Sequence, residues 1–427
     1  NVQLADISLD SGNDEEAQKI IDSNQYLHQV ELDSSIELIV SRDNPQEEGV
    51  FSKSLFSKSQ NPLRMILEGL ELSKQGEIIT GQELARQAVQ IWLDEQKIGS
   101  SIIDMQIAVT WKPEIFVKAL IALDLESEAE LFAKKVLSSR PTDEVVAEIL
   151  IDLYLNQGRI AEALEIAAIQ ASLHPDMAGH QRILAKLLVQ TLRWPEAYRQ
   201  WKKTLSLVHT PQIEDWLGLA EASLEVGELP VTIEMCQKVL EKDETQGQAN
   251  NILGRALVKT GQFREAVPIL TTATAICPES TQAWLDLAEA YRNLGENHKG
   301  LETLRAASLA VAGSAAIQLA LGESCDQAGY PAEALPAFRK AFELDPESHV
   351  TALRLAQTLF SLGHLSEAQS VLINAMKCWP ENPDLAYIYA NTSLAIGDRE
   401  AALQALEIAI LTDQPEIKRY LLLAETL

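Results

Sequence analysis

One spacing constrains this chain more than any other feature of its sequence. Gly261, Gly295, Gly329 and Gly363 follow one another at intervals of 34 residues. The stretch GYPAEALPAFRKAFELDP, which begins at Gly329, shows the residues that commonly accompany the glycine, an alanine five residues later and a proline seventeen residues later. A fixed period of this length indicates stacked units, each of which buries its apolar face against the next.

Counting in both directions from these glycines places nine consecutive units over residues 110–416. Each unit contains two apolar patterns of helical period separated by a short turn, which indicates a pair of antiparallel helices. The units begin at Thr110, Glu144, Ala178, Ile213, Gly247, Thr281, Ala315, His349 and Pro383. The sequence therefore predicts an all-α fold, a superhelical solenoid of antiparallel helix pairs.

The recurring residues have mechanical roles in such a fold. A glycine after the first helix adopts a left-handed cap at the lowest cost, because it has no Cβ. Small residues at the eighth position of the first helix, such as Ala288, and on the second helix, such as Ala334, let the two helices approach closely. A proline such as Pro346 ends the second helix.

Four positions depart from this pattern. Asp124 and Leu192 stand where other units have the turn glycine, and Thr232 and Gly300 replace the second-helix alanine. We expect local irregularity at these positions without a loss of register.

The units resemble the tetratricopeptide repeat, whose pattern is W-x2-L-G-x2-Y…A-x3-F…P over about 34 residues. The first half of the pattern is matched by Trp284, Leu287, Ala288 and Tyr291, and the second half by Ala334, Phe338, Ala341 and Pro346. The resemblance implies that first helices line a concave groove and that a peptide or protein binds there.

The residues before the nine units fit the pattern less well. We interpret residues 1–60 as a degenerate repeat remnant, carried by Leu4–Ile21, with a flexible insertion over residues 41–60. Residues 61–109 are interpreted as an irregular helical repeat. In it Gly69 is the small residue and Gly76 lies in a turn that we expect to be longer than in the other units.

The last residues, 417–427, have the apolar spacing of a first helix. They are interpreted as the first helix of a further repeat or as a capping helix. We expect the chain to be a fragment of a longer one, because repeat arrays need polar ends and this helix finishes on the apolar Leu427.

Charge and composition limit the classes of partner. The formal net charge of −27 argues against nucleic acid, since binding requires clustered lysines and arginines. No apolar run is long enough to span a membrane. The four widely spaced cysteines indicate free thiols in a reducing compartment, so a cytoplasmic location is favoured and an exported or periplasmic one stays open.

Candidate chemistry is sparse. His174 and His180 lie close in sequence, but their spacing is not that of a metal motif, and we interpret them as turn residues. Cys325 falls at a packing position of a first helix, which indicates a core thiol rather than a nucleophile. We therefore expect no enzyme activity, no metal and no cofactor.

The resemblance implies that positions 2, 5, 9, 12 and 13 of each unit face the groove. At these positions the sequence is basic and polar in the middle of the array and apolar toward its C-terminal end. The expected partner-binding residues are Arg182, Lys186, Asn251, Arg255, Lys259, Arg292, Asn293, Leu319, Leu353, Phe360, Tyr387 and Asn391. The basic side chains would clamp acidic groups of a partner or simply be solvated, and the apolar strip suits a hydrophobic segment.

Three functions remain open. The first is a non-enzymatic scaffold that binds a peptide or protein segment in its groove. The second is the regulatory or substrate-recruiting repeat portion of a larger enzyme or signalling protein. The third is a self-assembling array, in which the last helix of one copy docks on residues 4–21 of another.

Overall fold

The computed structural model describes residues 62–97, 113–410 and 417–426. Those residues form 21 helices that pack as sequential pairs, and the expected all-α fold is confirmed. The chain divides into two compact units, Asn1–Val208 and His209–Leu427. The interpreted remnant and insertion within residues 1–60 lie outside the described residues.

The N-terminal unit contains four helix pairs among its described residues. Their bounds are α1 Pro62–Lys74, α2 Ile78–Lys97, α3 Pro113–Ala122, α4 Glu126–Ser139, α5 Glu144–Asn156, α6 Ile160–Leu173, α7 Ala178–Gln190 and α8 Trp194–Leu207.

The C-terminal unit contains six helix pairs and one further helix among its described residues. Their bounds are α9 Ile213–Val226, α10 Leu229–Lys242, α11 Gly247–Lys259, α12 Phe263–Ile276, α13 Thr281–Asn293, α14 Asn297–Ala310, α15 Ala315–Gln327, α16 Pro331–Leu344, α17 His349–Ser361, α18 Leu365–Cys378, α19 Pro383–Ile396, α20 Arg399–Ala409 and α21 Ile417–Thr426. Every extensive contact that these helices make is with one of the next two helices along the chain.

The predicted register agrees with the helix starts. Eight of the nine counted unit starts, from Glu144 to Pro383, are the first residues of helices. The ninth, Thr110, lies outside the described residues. The boundary between the two compact units, at Val208 and His209, falls within the one unit that is 35 residues long.

The turn inside each pair requires a left-handed residue. Gly295 has φ of 78°, and its N–H donates to the Arg292 carbonyl at 3.0 Å, while the next N–H, of Glu296, donates to the Tyr291 carbonyl at 2.9 Å. These bonds satisfy carbonyls that the helix end leaves without a partner. Asp124 and Leu192 adopt the same conformation, each with φ of 56°. These two positions therefore differ from the other units in residue type, but the geometry of their turns is the same.

The turn between pairs is closed by a polar cap, which the repeat pattern did not reveal. Ser280, Ser314 and Ser348 each precede a first helix, and the hydroxyl of each accepts the N–H of the residue three positions later. Asp143 and Asn382 cap α5 and α19 in a similar way. A cap of this kind stabilises a helix by about 1 kcal/mol, so these five pairs begin at a defined residue.

Close approach of the paired helices explains the small residues. Gly254 and Gly322 are buried at the eighth position, where a Cβ would lie 2.3 Å from Leu270 and 2.6 Å from Phe338. Thr232 replaces the usual alanine without leaving a polar group alone, because its hydroxyl lies 2.8 Å from that of Ser223.

The turn between α1 and α2 differs from the expectation. The loop of residues 75–77 has the usual length, with Gly76 at φ of 92°, so the longer turn predicted there is wrong. The irregular feature is α2, which has 20 residues instead of the 14 of most second helices. Gly81 takes the second-helix alanine position, and a Cβ on it would lie 2.4 Å from the Gly69 carbonyl oxygen.

No helix within residues 62–97, 113–410 or 417–426 combines the length and the apolar character that crossing a bilayer requires.

Candidate functional site

The first helices of the C-terminal unit form one side of the stack. α11 contacts α9 and α13, α13 contacts α15, and α17 contacts α19. Each of these contacts is more extensive than any contact between successive second helices. We expect the side on which first helices lie closer together to be the inner side of the stack.

We call the following residues of α11, α13, α15, α17 and α19 the inner face, and all of them are half-buried or exposed. They are Asn251, Arg255, Lys259, Arg292, Asn293, Leu319, Leu353, Phe360, Tyr387 and Asn391. The other two predicted binding residues, Arg182 and Lys186, lie on α7 in the N-terminal unit.

The basic part of the inner face lies on α11. The Arg255 guanidinium donates to the Glu225 carboxylate on α9 at 3.0 Å and is about one-third exposed. Lys259 lies one turn later and is exposed. An acidic group of a partner that approaches α11 would therefore contact Arg255, which Glu225 already binds, and Lys259, which reaches solvent.

A buried acid behind these cations is the feature that the sequence analysis missed. Asp286 on α13 is only 5% exposed, and its Oδ1 accepts the amide N–H of Gln282 at 2.7 Å. Burial raises the pKa of Asp286 to about 6, against the opposing attraction of Arg255 and Lys259. The only signal in the sequence is an aspartate at the sixth position, where five other units have isoleucine.

Two buried oxygens in this region have no hydrogen-bond partner among the described residues. They are Oδ2 of Asp286 and Oδ1 of Asn251, whose amide group donates to the Ser280 hydroxyl at 3.3 Å. Unsatisfied acceptors of this kind are costly in a folded protein.

The apolar part of the inner face begins at α15. Leu319 and Leu353 are half-buried and pack against the cores that contain Phe338 and Leu372, respectively. Tyr387 on α19 is covered in part by α21, whose Lys418 Nζ lies 5.5 Å from the centre of its ring. Phe360 is also half-buried, so these four side chains combine packing between repeats with an exposed apolar edge.

Other candidates for chemistry are structural. Cys325 is 3% exposed and belongs to the core cluster around Phe338. Burial raises the pKa of its thiol, which disfavours the reactive thiolate. Its interpretation as a core thiol is confirmed.

Comparisons with known proteins agree with the repeat pattern. A family model described as the tetratricopeptide repeat matches residues 257–323 and 327–378, and a second model with that description matches residues 353–421. Tetratricopeptide repeat protein 37 of Xenopus laevis is 30% identical over 134 residues, which is 31% of this chain. The match spans 9% of that relative's length.

Two solved structures show similar helical arrays. YrrB, described as a TPR protein with an unusual peptide-binding site, is 21% identical with a TM-score of 0.40, over 45% of this chain and 98% of its own. A chain in the structure of the APC/C hetero-tetramer Cut9–Hcn1 is 14% identical with a TM-score of 0.41, and the match covers 86% of this chain and 76% of that chain.

Proposed function

The chain is a tetratricopeptide repeat protein, with family-model matches over residues 257–421, and from that premise we propose that it binds a peptide or protein segment on its inner face without catalysing a reaction. Such repeats generally serve protein–protein interaction and are typically non-catalytic.

The observation that carries the proposal is the row of exposed and half-buried side chains along the first helices, with the exposed Lys259 on α11 and Asn293 on α13. The Asn293 amide oxygen can accept from donor groups, and Lys259 offers a charge to an acceptor. A polypeptide segment carries both kinds of group on its backbone, one donor and one acceptor for each residue other than proline. The half-buried Leu353 and Phe360 would then contact apolar side chains of the same segment.

The test is a selection of random displayed peptides on the purified chain, followed by affinity measurements on the selected peptides by fluorescence anisotropy. We expect Lys259→Glu, on a first helix, to weaken binding about tenfold, since it reverses a charge at the site of contact. The matched control is Arg264→Glu, which reverses an exposed cation on the second helix α12 and should leave affinity within about twofold.

Equal losses in the two variants would refute the assignment of the inner face. So would peptides whose binding is insensitive to Lys259→Glu and to Phe360→Ala together. Circular dichroism of each variant separates lost contact from lost fold.

A further inference from the structure

Three side chains from two successive repeats meet near the N-terminal end of α5. Glu144 is the first residue of α5, His174 follows the last residue of α6, and His180 lies in the first turn of α7. One oxygen or nitrogen ligand atom from each of the three lies within 4.8 Å of the other two. No metal was expected from the sequence, because the spacing of His174 and His180 is not that of a metal motif, and Glu144 lies 30 residues before His174 in the chain.

The distances suit a shared ion better than hydrogen bonds. His174 Nδ1 lies 3.7 Å from one Glu144 oxygen, and His180 Nε2 lies 3.6 Å from the other. Both separations are too long for hydrogen bonds. Ligand atoms held about 2.05 Å from a tetrahedral Zn²⁺ would be about 3.3 Å apart, so small side-chain rotations would bring these atoms into place.

The histidines also leave buried nitrogens without partners. Nε2 of His174 and Nε2 of His180 are both buried and accept or donate no hydrogen bond among the described residues. The His180 side chain is only 5% exposed. A buried polar atom without a partner costs free energy, and an ion bound by Nε2 of His180 and Nδ1 of His174 would recover that cost at His180.

The site is open to solvent at Glu144 and His174. Glu144 is 37% exposed and His174 is 19% exposed. An ion bound between them would therefore remain in contact with water on one side.

We propose that Glu144, His174 and His180 form a binding site for a divalent transition metal of the zinc class, with at least one coordination position left for water or another ligand. Two imidazoles and a carboxylate form a donor set that suits Zn²⁺. Mg²⁺ and Ca²⁺ instead take oxygen ligands. The bound ion links α5, α6 and α7, and so holds one repeat against the next.

The experiment uses the full chain, stripped with EDTA and dialysed, with ZnCl₂ or CoCl₂ as the only added metal. Calorimetry should show one Zn²⁺ bound per chain, and Co²⁺ should give visible d–d absorption without a thiolate charge-transfer band. Excess Zn²⁺ should raise the midpoint of thermal unfolding, since an ion that binds only the folded chain stabilises it.

Three variants separate the site from other ligands. Glu144→Gln and His174→Gln should each weaken Zn²⁺ binding at least about tenfold. The matched control is His298→Gln, which removes an exposed histidine 3.5 Å from Glu302. No third ligand joins that pair among the described residues, so the variant should bind Zn²⁺ like the original chain. If His174→Gln fails to fold, the exposed Glu144→Gln still decides the question.

Absence of stoichiometric binding would overturn the proposal. Equal affinity in the original chain and in Glu144→Gln, or a cobalt spectrum dominated by thiolate ligands, would do the same.

Discussion

Asp124 and Leu192 hold the left-handed backbone conformation that glycine adopts at the same place in other units. For a residue with a Cβ, this conformation costs about 1–2 kcal/mol. Their presence shows that contacts of the paired helices impose the turn, and that the glycine only lowers its cost. Single residues in this chain are therefore constrained more by what they touch than by the repeat pattern.

Asp286 gives a prediction at the scale of one residue. Its pKa in the folded chain, about 6, lies above the usual value of 3.8, so the folded state holds the proton more tightly than the unfolded state. Stability from this group is present at low pH and is lost as the pH rises from about 4 to about 6. We expect Asp286→Asn to stabilise the chain by about 2 kcal/mol at pH 7.

The measurement is urea unfolding of both proteins at several pH values. The difference between them should shrink toward zero as the pH falls to about 4. Glu289→Gln, one turn later and exposed on the same helix, is the control and should show no comparable pH-dependent difference. A gain for Asp286→Asn that is independent of pH would contradict the argument.

At the scale of helices and helix pairs, the small residue at the eighth position of the first helix faces a large side chain of the second helix. Gly322 lies against the ring of Phe338, whereas Ala356 occupies the same position opposite Leu372, and both small residues are buried. A Cβ on Gly322 would overlap the Phe338 ring as long as that ring keeps its place.

Gly322→Ala should consequently destabilise the chain by about 1–2 kcal/mol, because the added Cβ would lie 2.6 Å from Phe338 and the overlap outweighs the better helix propensity of alanine. Gly179→Ala is the matched control. No atom lies within 4 Å of the Cβ it would add to α7, so it should be neutral or stabilising by up to about 1 kcal/mol. Urea unfolding in buffer with EDTA measures both, and equal effects would contradict the packing explanation.

The sequence allowed the helix pairs to be predicted because their signals are periodic. Eight unit starts coincide with helix starts, since the turn glycine and the apolar spacing repeat at the same offsets. The residue type at the turn was a weaker guide, as Asp124 and Leu192 show. The turn before α2 was mispredicted as longer. Gly81 takes the second-helix alanine position because it lies close to Gly69 on α1, and that contact is not visible in the sequence.

The candidate site was predictable only in part. The repeat register names positions that we expect to face the inner side, such as Lys259 and Phe360, and the structure leaves the first exposed and the second half-buried. The ion pair of Arg255 with Glu225 and the unsatisfied oxygen of Asp286 depend on neighbouring units. Contacts between residues about 30 apart do not repeat from unit to unit, so no periodic signal reports them.

At the scale of the whole molecule, the dominant quantity is the net charge of −27. Repulsion among like charges favours expansion of the chain and opposes folding. At roughly 0.5 M NaCl the Debye length falls to about 4 Å. We therefore expect salt at this concentration to raise the midpoint of thermal unfolding at pH 7.5. Exposed ion pairs such as Arg339–Glu367 are too weak to reverse this effect.

The control is the same titration near pH 4.7, the isoelectric point of the sequence. Repulsion nearly vanishes there, so added salt should no longer stabilise the chain. A fall of the midpoint with salt at pH 7.5 would show that favourable ion pairs outweigh the repulsion.

The confinement of contacts to the next two helices in the C-terminal unit has a mechanical consequence. Under tension applied at its two ends, no contact between distant parts of the chain has to break before the rest can yield. Hairpins would peel away one after another at similar forces, and each would re-form on release against the neighbour that remains. A unit built in this way lengthens and recoils as a spring does, in small reversible steps.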